Sequence, residues 1–136
     1  MALLTGEPLD LGALVAEVVG PHRGAVATFL GLVRDHHEGR SVLRLEYSAY
    51  PDMAEAEATA ILGEASDRWP VELAARHRTG VLEVGEAAVA VAAAGAHRGE
   101  AFEACRYVIE ELKRRVPIWK REYYADGSVG WVEPRS

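Results

Sequence analysis

The sequence predicts an α+β fold on three observations. Helical apolar spacing occurs in three separated stretches, starting near Asp10, at Pro51-Asp52 and at Glu100. Between them, short apolar runs are separated by Gly- and Pro-containing turns, and two of these runs follow each other with no helix in between, as antiparallel hairpins do. The chain has 136 residues with 49% hydrophobic content and carries no repeat, linker or low-complexity run, so one compact domain over residues 1–136 is expected.

Residues 2–5 can form a short first strand. Asp10 is a suitable N-cap for a helix whose stripe is Leu11, Leu14, Val15 and Val18, ended by Gly20-Pro21. Ala25 to Val33 is apolar at nearly every position, which reads as a central strand buried on both faces. Gly31 inside it marks a bulge or a close backbone approach. Arg34 to Arg40 is a charged loop in which His36 and His37, pointing to opposite sides, make a poor ligand pair and read as a solvated turn. Val42 to Tyr50 alternates, with Leu43, Leu45 and Tyr47 on one side.

Pro51-Asp52 opens a second helix with Met53, Ala56, Ala60 and Ile61 expected inward, closed before Pro70. Val71 to Arg78 and Val81 to Val84 are strands broken by Thr79-Gly80. Gly85-Glu86 then turns into Ala87 to Ala94, a strand of small residues that a helix can approach closely. In the third helix Phe102, Cys105, Ile109, Leu112 and Val116 share one face. Pro117 stops it near Arg115 or Val116.

Composition narrows the function. Fifteen Lys and Arg against 21 Asp and Glu give a net charge of −6, which disfavours a nucleic-acid binder. The single Cys excludes an internal disulfide, and Cys105 on an apolar helix face reads as a buried thiol and not a sulfur carrier. No His/Cys spacing matches a zinc site, and no metal or resident cofactor is expected. The longest apolar run is too short to span a bilayer and residues 1–10 lack a basic n-region, so the expected compartment is the cytoplasm.

Against this acidic background Lys113, Arg114, Arg115, Lys120 and Arg121 crowd around the bend at Pro117. Cations in a last helical turn complement the helix dipole by about 0.3–1 kcal/mol each, which covers the first three. It does not cover Lys120 and Arg121, beyond the bend. Gathering like charges is unfavourable unless an anion offsets them, so this cluster reads as a pocket for phosphate or carboxylate. Arg34, directly after an apolar strand, sits where sheets present ligand groups.

The residues also carry a resemblance. Phe29-x-Gly31-x-Val33-Arg34, Glu46-Tyr47-x-x-Tyr50-x-x-Met53, His77-Arg78-x-Gly80, Ala96-His97-Arg98, Leu112-Lys113, Pro117-x-Trp119-Lys120-Arg121-Glu122 and Trp131-Val132-Glu133 occur in one order. In that order and spacing the chain, from about Gly24 to Arg135, resembles the large, catalytic subunit of molybdopterin synthase, the MoaE family. The turn between Glu122 and Trp131 departs from the family's pattern.

The resemblance implies an α/β hammerhead-type fold with an additional antiparallel subdomain. It implies conversion of a cyclic pyranopterin monophosphate to molybdopterin, with two sulfurs arriving as a thiocarboxylate on the C-terminal Gly-Gly of a small ubiquitin-like subunit. It implies a homodimer of large subunits within a heterotetramer, and neither nucleic acid nor membrane as a partner. Carried over by position, Lys113 and Lys120 are the catalytic candidates. Leu32, Val33, Arg34, His97, Arg98, Arg121, Glu122 and Arg135 join them in binding substrate, with Arg135 reaching a neighbouring subunit. Lysines in a desolvated cationic pocket are tuned for acid–base or covalent work. The alternative is a non-catalytic dimeric module that binds a phosphorylated small molecule.

Overall fold

A computed structural model describes residues 2–132, and Arg135 lies outside the described residues. The element order is β1 (Leu4–Thr5), α1 (Leu11–Ala16), β2 (Ala25–Leu32), β3 (His36–His37), β4 (Arg40–Ala49), α2 (Pro51–Arg68), β5 (Val71–Arg78), β6 (Gly80–Glu83), β7 (Ala87–Gly95), α3 (Arg98–Arg115), β8 (Ile118–Tyr124) and β9 (Val129–Val132). One sheet runs β1-β5-β7-β2, with β1 parallel to β5 and the other pairs antiparallel. The second runs β3-β4-β8-β9, with β6 also paired to β4. It is antiparallel throughout, as the added subdomain of the resemblance requires.

The alanine strand β7 explains the layering. Side chains alternate across a strand, so Val89, Val91 and Ala93 meet α2 and α3 while Ala90, Ala92 and Ala94 meet α1. Small residues let helices approach both faces. Asp10 caps α1 by accepting the Ala13 N–H at 3.0 Å, as its position suggests. A third cluster, Val33, Val42, Leu45, Leu82, Ala88 and Tyr124, joins the two sheets, with Tyr47 touching both this cluster and the α3 core.

Several expectations are corrected. Strand β2 is an edge and not a central strand, since it pairs with β7 alone. Its inner face packs Ala27 and Phe29 under α3, but α1 is too short to cover the other, leaving Val26, Leu30 and Leu32 exposed. In α2 the buried positions are Ala54, Ala58, Ile61 and Ala65, and Met53 is 60% exposed. An alanine-rich helix offers little contrast by which to choose a face, so Ile61 is inward as expected while Met53, Ala56 and Ala60 give way to Ala54, Ala58 and Ala65. Phe102 is 64% exposed on the flank of α3, whose core face is Ala101, Ala104, Cys105, Val108, Ile109 and Leu112. A register shift between Val42 and Arg44 turns Leu43 outward and Val42 inward.

The charged loop is a hairpin. Glu38 (φ 51°) and Gly39 (φ 78°) form its two-residue turn, the backbone that matches strand twist, and β3 pairs back on β4. Gly31 is the close approach foreseen in β2: a Cβ there would stand 2.7 Å from Val89 Cγ1, beside a register shift at Gly31/Leu32.

Candidate active site

The bend after α3 builds the site. Val116 leaves the helix in extended backbone, Pro117 blocks continuation, and the chain returns as β8 paired to β4. Lys113 in the last helical turn and Lys120 early in β8 thereby border one cleft of about 1150 Å³. Leu32, Val33 and Arg34 reach it from the end of β2, and Glu122, Tyr47 and His36 complete its polar wall. Adjoining it is a smaller, narrow chamber, which Lys113, Lys120, Tyr47 and His77 share with apolar side chains.

Strand alternation sorts the residues after the bend. Lys120 and Glu122 face the cleft, whereas Arg121 points to the opposite side of β8. There it pairs with Glu46 at 2.5 Å and lies 5.1 Å from the Trp131 ring centroid. Arg114 and Arg115 are also held away. Arg114 pairs with Glu111, and Arg115 with Glu64 at 2.7 Å and with Glu111 at 3.2 Å. By contrast Arg34, Lys113 and Lys120 make no ion pair among the described residues. Dipole compensation and ion pairing therefore account for Arg114 and Arg115, and leave three unpaired cations around one opening.

Burial pushes the Lys120 ammonium below the usual lysine range. The charges of Lys113 and Arg34 push the same way, and the Glu122 carboxylate opposes them. Glu122 itself is only 3% exposed, so it needs partners. The Tyr124 hydroxyl donates to it at 2.9 Å, and His37 Nδ1 lies 2.7 Å from the same oxygen. His37 is thus a packed partner of a site carboxylate, which corrects the solvated-turn reading. The signal that could have found it was Glu38-Gly39, a hairpin turn that fixes which histidine faces the sheet. His77 and Tyr47 also border the site, although the sequence marks them only as members of matching motifs within apolar or alternating strands and not as site candidates.

His97 and Arg98 lie elsewhere in the chain. His97 caps the N-terminus of α3, its N–H donated to Glu100 Oε1 at 2.8 Å, and both side chains are exposed. Arg98 and Lys113 are fifteen residues apart on one helix, which at 1.5 Å per residue is about 22 Å. A single chain therefore does not bring them to one ligand. Among the described residues no group of three or more His, Cys, Asp and Glu gathers as a metal site would require, and no helix is long and apolar enough to cross a membrane.

Comparison with known proteins identifies the family. The family model described as MoaE protein matches residues 4–115. The chain is 45% identical to molybdopterin synthase catalytic subunit 1 of Mycobacterium tuberculosis over 133 residues, covering 97% of this chain and 90% of that protein. It is 43% identical to the molybdopterin synthase catalytic subunit of Halalkalibacterium halodurans over 127 residues, covering 93% and 81%. Its structure superposes on molybdopterin synthase from Staphylococcus aureus with a TM-score of 0.92 at 34% identity, covering 96% of both chains. A complex of subunits 1 and 2 of the molybdopterin-converting factor from Helicobacter pylori, at 24% identity, shares the fold with a TM-score of 0.80, covering 98% of this chain and 91% of that one. The chain belongs to the MoaE protein family, that of the molybdopterin synthase catalytic subunits.

Proposed function

We propose that this chain is the sulfurtransferase subunit that converts a cyclic pyranopterin monophosphate to molybdopterin, in the cytoplasm, as one domain over residues 1–136. The sulfur donor is the C-terminal Gly-Gly thiocarboxylate of a small ubiquitin-like subunit. The observation that carries this reading is the set of cations without ion pairs, Arg34, Lys113 and Lys120, gathered around one cleft of a protein whose net charge is −6. A thiocarboxylate and a phosphate are both anions that such groups recognise. Cys105 supports delivery from outside, since it is buried and burial pushes its thiol up to about 11, far from a reactive thiolate.

In each transfer the thiocarboxylate sulfur displaces an oxygen substituent on a pterin carbon, so a C–S bond forms as that C–O bond breaks and the oxygen leaves. Water then cleaves the acyl–sulfur bond, returning the donor's carboxylate and leaving the sulfur on the pterin. Lys113, reaching both cleft and chamber, assists attack and acyl turnover. Lys120 orients the pterin and stabilises developing negative charge, with Glu122 fixed behind it. Arg34 holds the phosphate or the terminal anion, and Leu32 and Val33 shape the wall. Arg121 reaches substrate only if it leaves Glu46, and Arg135 remains a candidate arm from a neighbouring subunit.

His97 and Arg98 enter through a homodimer. Strand β2 starts at Ala25, opposite Gly95 beside His97, and ends at Leu32 beside Arg34. Its eight residues span about 26 Å, close to the separation along α3. An antiparallel two-fold pairing along this edge would bring the His97 end of one copy to the Arg34 end of the other. The exposed Val26, Leu30 and Leu32 give that edge apolar surface to bury. Each composite site then takes phosphate at one copy's α3 N-terminus and sulfur at the other's Lys113. One small subunit per large subunit makes the heterotetramer.

Reconstitution tests the reading. The protein, a thiocarboxylated small subunit and the cyclic pyranopterin monophosphate should yield molybdopterin, and Lys113→Ala should not. Tight pterin binding without product from the unaltered protein would favour the non-catalytic binding module, and no binding would sink both readings.

A further inference from the structure

The chamber adjoining the cleft holds a polar group that the reaction described so far leaves unused. Its wall is apolar except for Tyr47, His77, Lys113 and Lys120. His77 lies on β5, with Nδ1 2.8 Å from the Arg78 carbonyl oxygen. A carbonyl only accepts, so the ring proton resides on Nδ1 and Nε2 keeps a lone pair. The ring is further fixed by Tyr47, edge-on with centroids 4.9 Å apart at 76°. Burial keeps this imidazole neutral, moving it down to about 4, and the nearby Lys113 charge acts in the same direction.

The charged or titratable side chains that share the chamber with His77 are Tyr47 from β4, Lys113 from α3 and Lys120 from β8; β7 and the N-terminal segment contribute only Val89 and Leu3. Lys113 carries three N–H donors and makes no ion pair among the described residues. A neutral imidazole fixed by two neighbours is an acceptor that costs little to hold in place, and it adds no positive charge beside the lysines.

We propose that His77 is a positioning residue for Lys113: the two line one chamber without a hydrogen bond between them in the structure, and a turn of the flexible lysine stem lets Nε2 accept one ammonium N–H there. This rests on the synthase reading, for it assigns the geometry of the lysine that assists sulfur transfer. His77 orients Lys113 and does not deprotonate it, because a ring titrating near 4 takes essentially no proton from an ammonium. Engaging one N–H at His77 leaves two donors for the thiocarboxylate that arrives in the cleft.

Two variants and one spectroscopic measurement test this. His77→Phe keeps an aromatic ring against Tyr47 but removes the acceptor, and should lower kcat about 10–100-fold, as loss of an orienting partner does, with KM for the pterin little changed. His77→Gln restores an acceptor oxygen and should recover most of that loss. In the unaltered protein without substrate, imidazole 15N shifts at neutral pH should report a neutral ring protonated on Nδ1, and the Nε2 shift should move in Lys113→Met. Full kcat in His77→Phe, no rescue by His77→Gln, or a ring protonated on Nε2 would each overturn the proposal. Should His77→Phe fail to fold, the Gln variant and the tautomer decide. An unaltered protein with no synthase activity would refute the functional reading instead, while the nitrogen shifts still judge His77.

Discussion

Helix α3 carries cations at both ends, and the ends treat them in opposite ways. At the C-terminus Arg114 and Arg115 sit where the dipole favours positive charge, and carboxylates on α2 and α3 pair with them. At the N-terminus Arg98 occupies the first helical position, where the dipole disfavours a cation, and no carboxylate pairs with it among the described residues. Lys113 shares the favoured end with the paired arginines yet stays unpaired and faces the cleft. Position on a helix therefore does not separate structural charge from functional charge. What separates them is whether the fold supplies a counter-ion. Among the described residues five cations have no ion pair: Arg34, Arg98, Lys113 and Lys120 are residues that the resemblance assigns to substrate, and Arg68 lies instead over the rings of Trp69 and Tyr107.

The sharpest way to break this contrast is to remove one member of each class. Lys113→Ala should lower kcat by about 10²–10³-fold, the scale of losing one preorganised group that stabilises developing charge, with Tm close to that of the unaltered protein. Arg115→Ala should do the reverse: a lower Tm, because Glu64 and Glu111 lose their partner, and kcat nearly unchanged. Steady-state kinetics beside thermal melts check both. Loss of activity in both variants with the same stability change would erase the distinction.

The two ends of α3 also test the dimer. If His97 and Arg98 serve the neighbouring copy's Lys113, then Arg98→Ala and Lys113→Ala chains are each inactive but complementary. Randomly mixed dimers are half heterodimers, each with one intact composite site of two, so about a quarter of full activity should return. Co-expression of two differently tagged chains, followed by assay, checks this. Mixtures no more active than the parents would place both ends of α3 in separate roles.

Much of this was legible in the sequence, for physical reasons that differ by element. The capping Asp10, the Pro117 stop and the small-residue strand β7 are local effects, and the structure has all three. Position within a sheet is not local. The run Ala25 to Leu32 is apolar on both faces whether it is central or an edge awaiting another surface, and only the pairing with β7 alone decides. Likewise, nothing in Lys113-Arg114-Arg115 tells which cation meets a carboxylate, because Glu57 and Glu64 come from α2, about fifty residues away in sequence. His37 was hidden in the same way, since its partner Glu122 is 85 residues distant. Cleft residues adjoining a bend could be read; pairings across the chain could not.

A smaller effect should appear in acid. The Arg115 guanidinium, aided by the Tyr107 hydroxyl, holds the Glu64 carboxyl down to about 2 from an ordinary 4.5. A carboxyl depressed in the folded state stabilises above its unfolded value, and that stabilisation is lost as pH falls through the folded one. The window is therefore about pH 4.5 down to about 2. Glu64→Gln should lower stability at neutral pH and flatten the pH dependence within this window, read from denaturant melts across pH. The half-buried pair is still reached and screened by solvent, which keeps the difference modest.

The smallest predicted change concerns Lys120. Burial first, then the charges of Lys113 and Arg34, shift its ammonium downward. Its charge, and with it the grip on an anionic substrate, should fade at lower pH than for an ordinary lysine at 10.5. Arg34→Gln removes one of the like charges, so Lys120 should hold its proton further into alkali. Pterin binding measured by calorimetry from neutral pH upward should then be weaker overall in Arg34→Gln, because one of the cations facing the anionic substrate is gone. Its alkaline fall should nevertheless begin at higher pH than in the unaltered protein. An alkaline limb that stays in place would mean that burial alone sets Lys120, and that the three unpaired cations do not sense one another across the cleft.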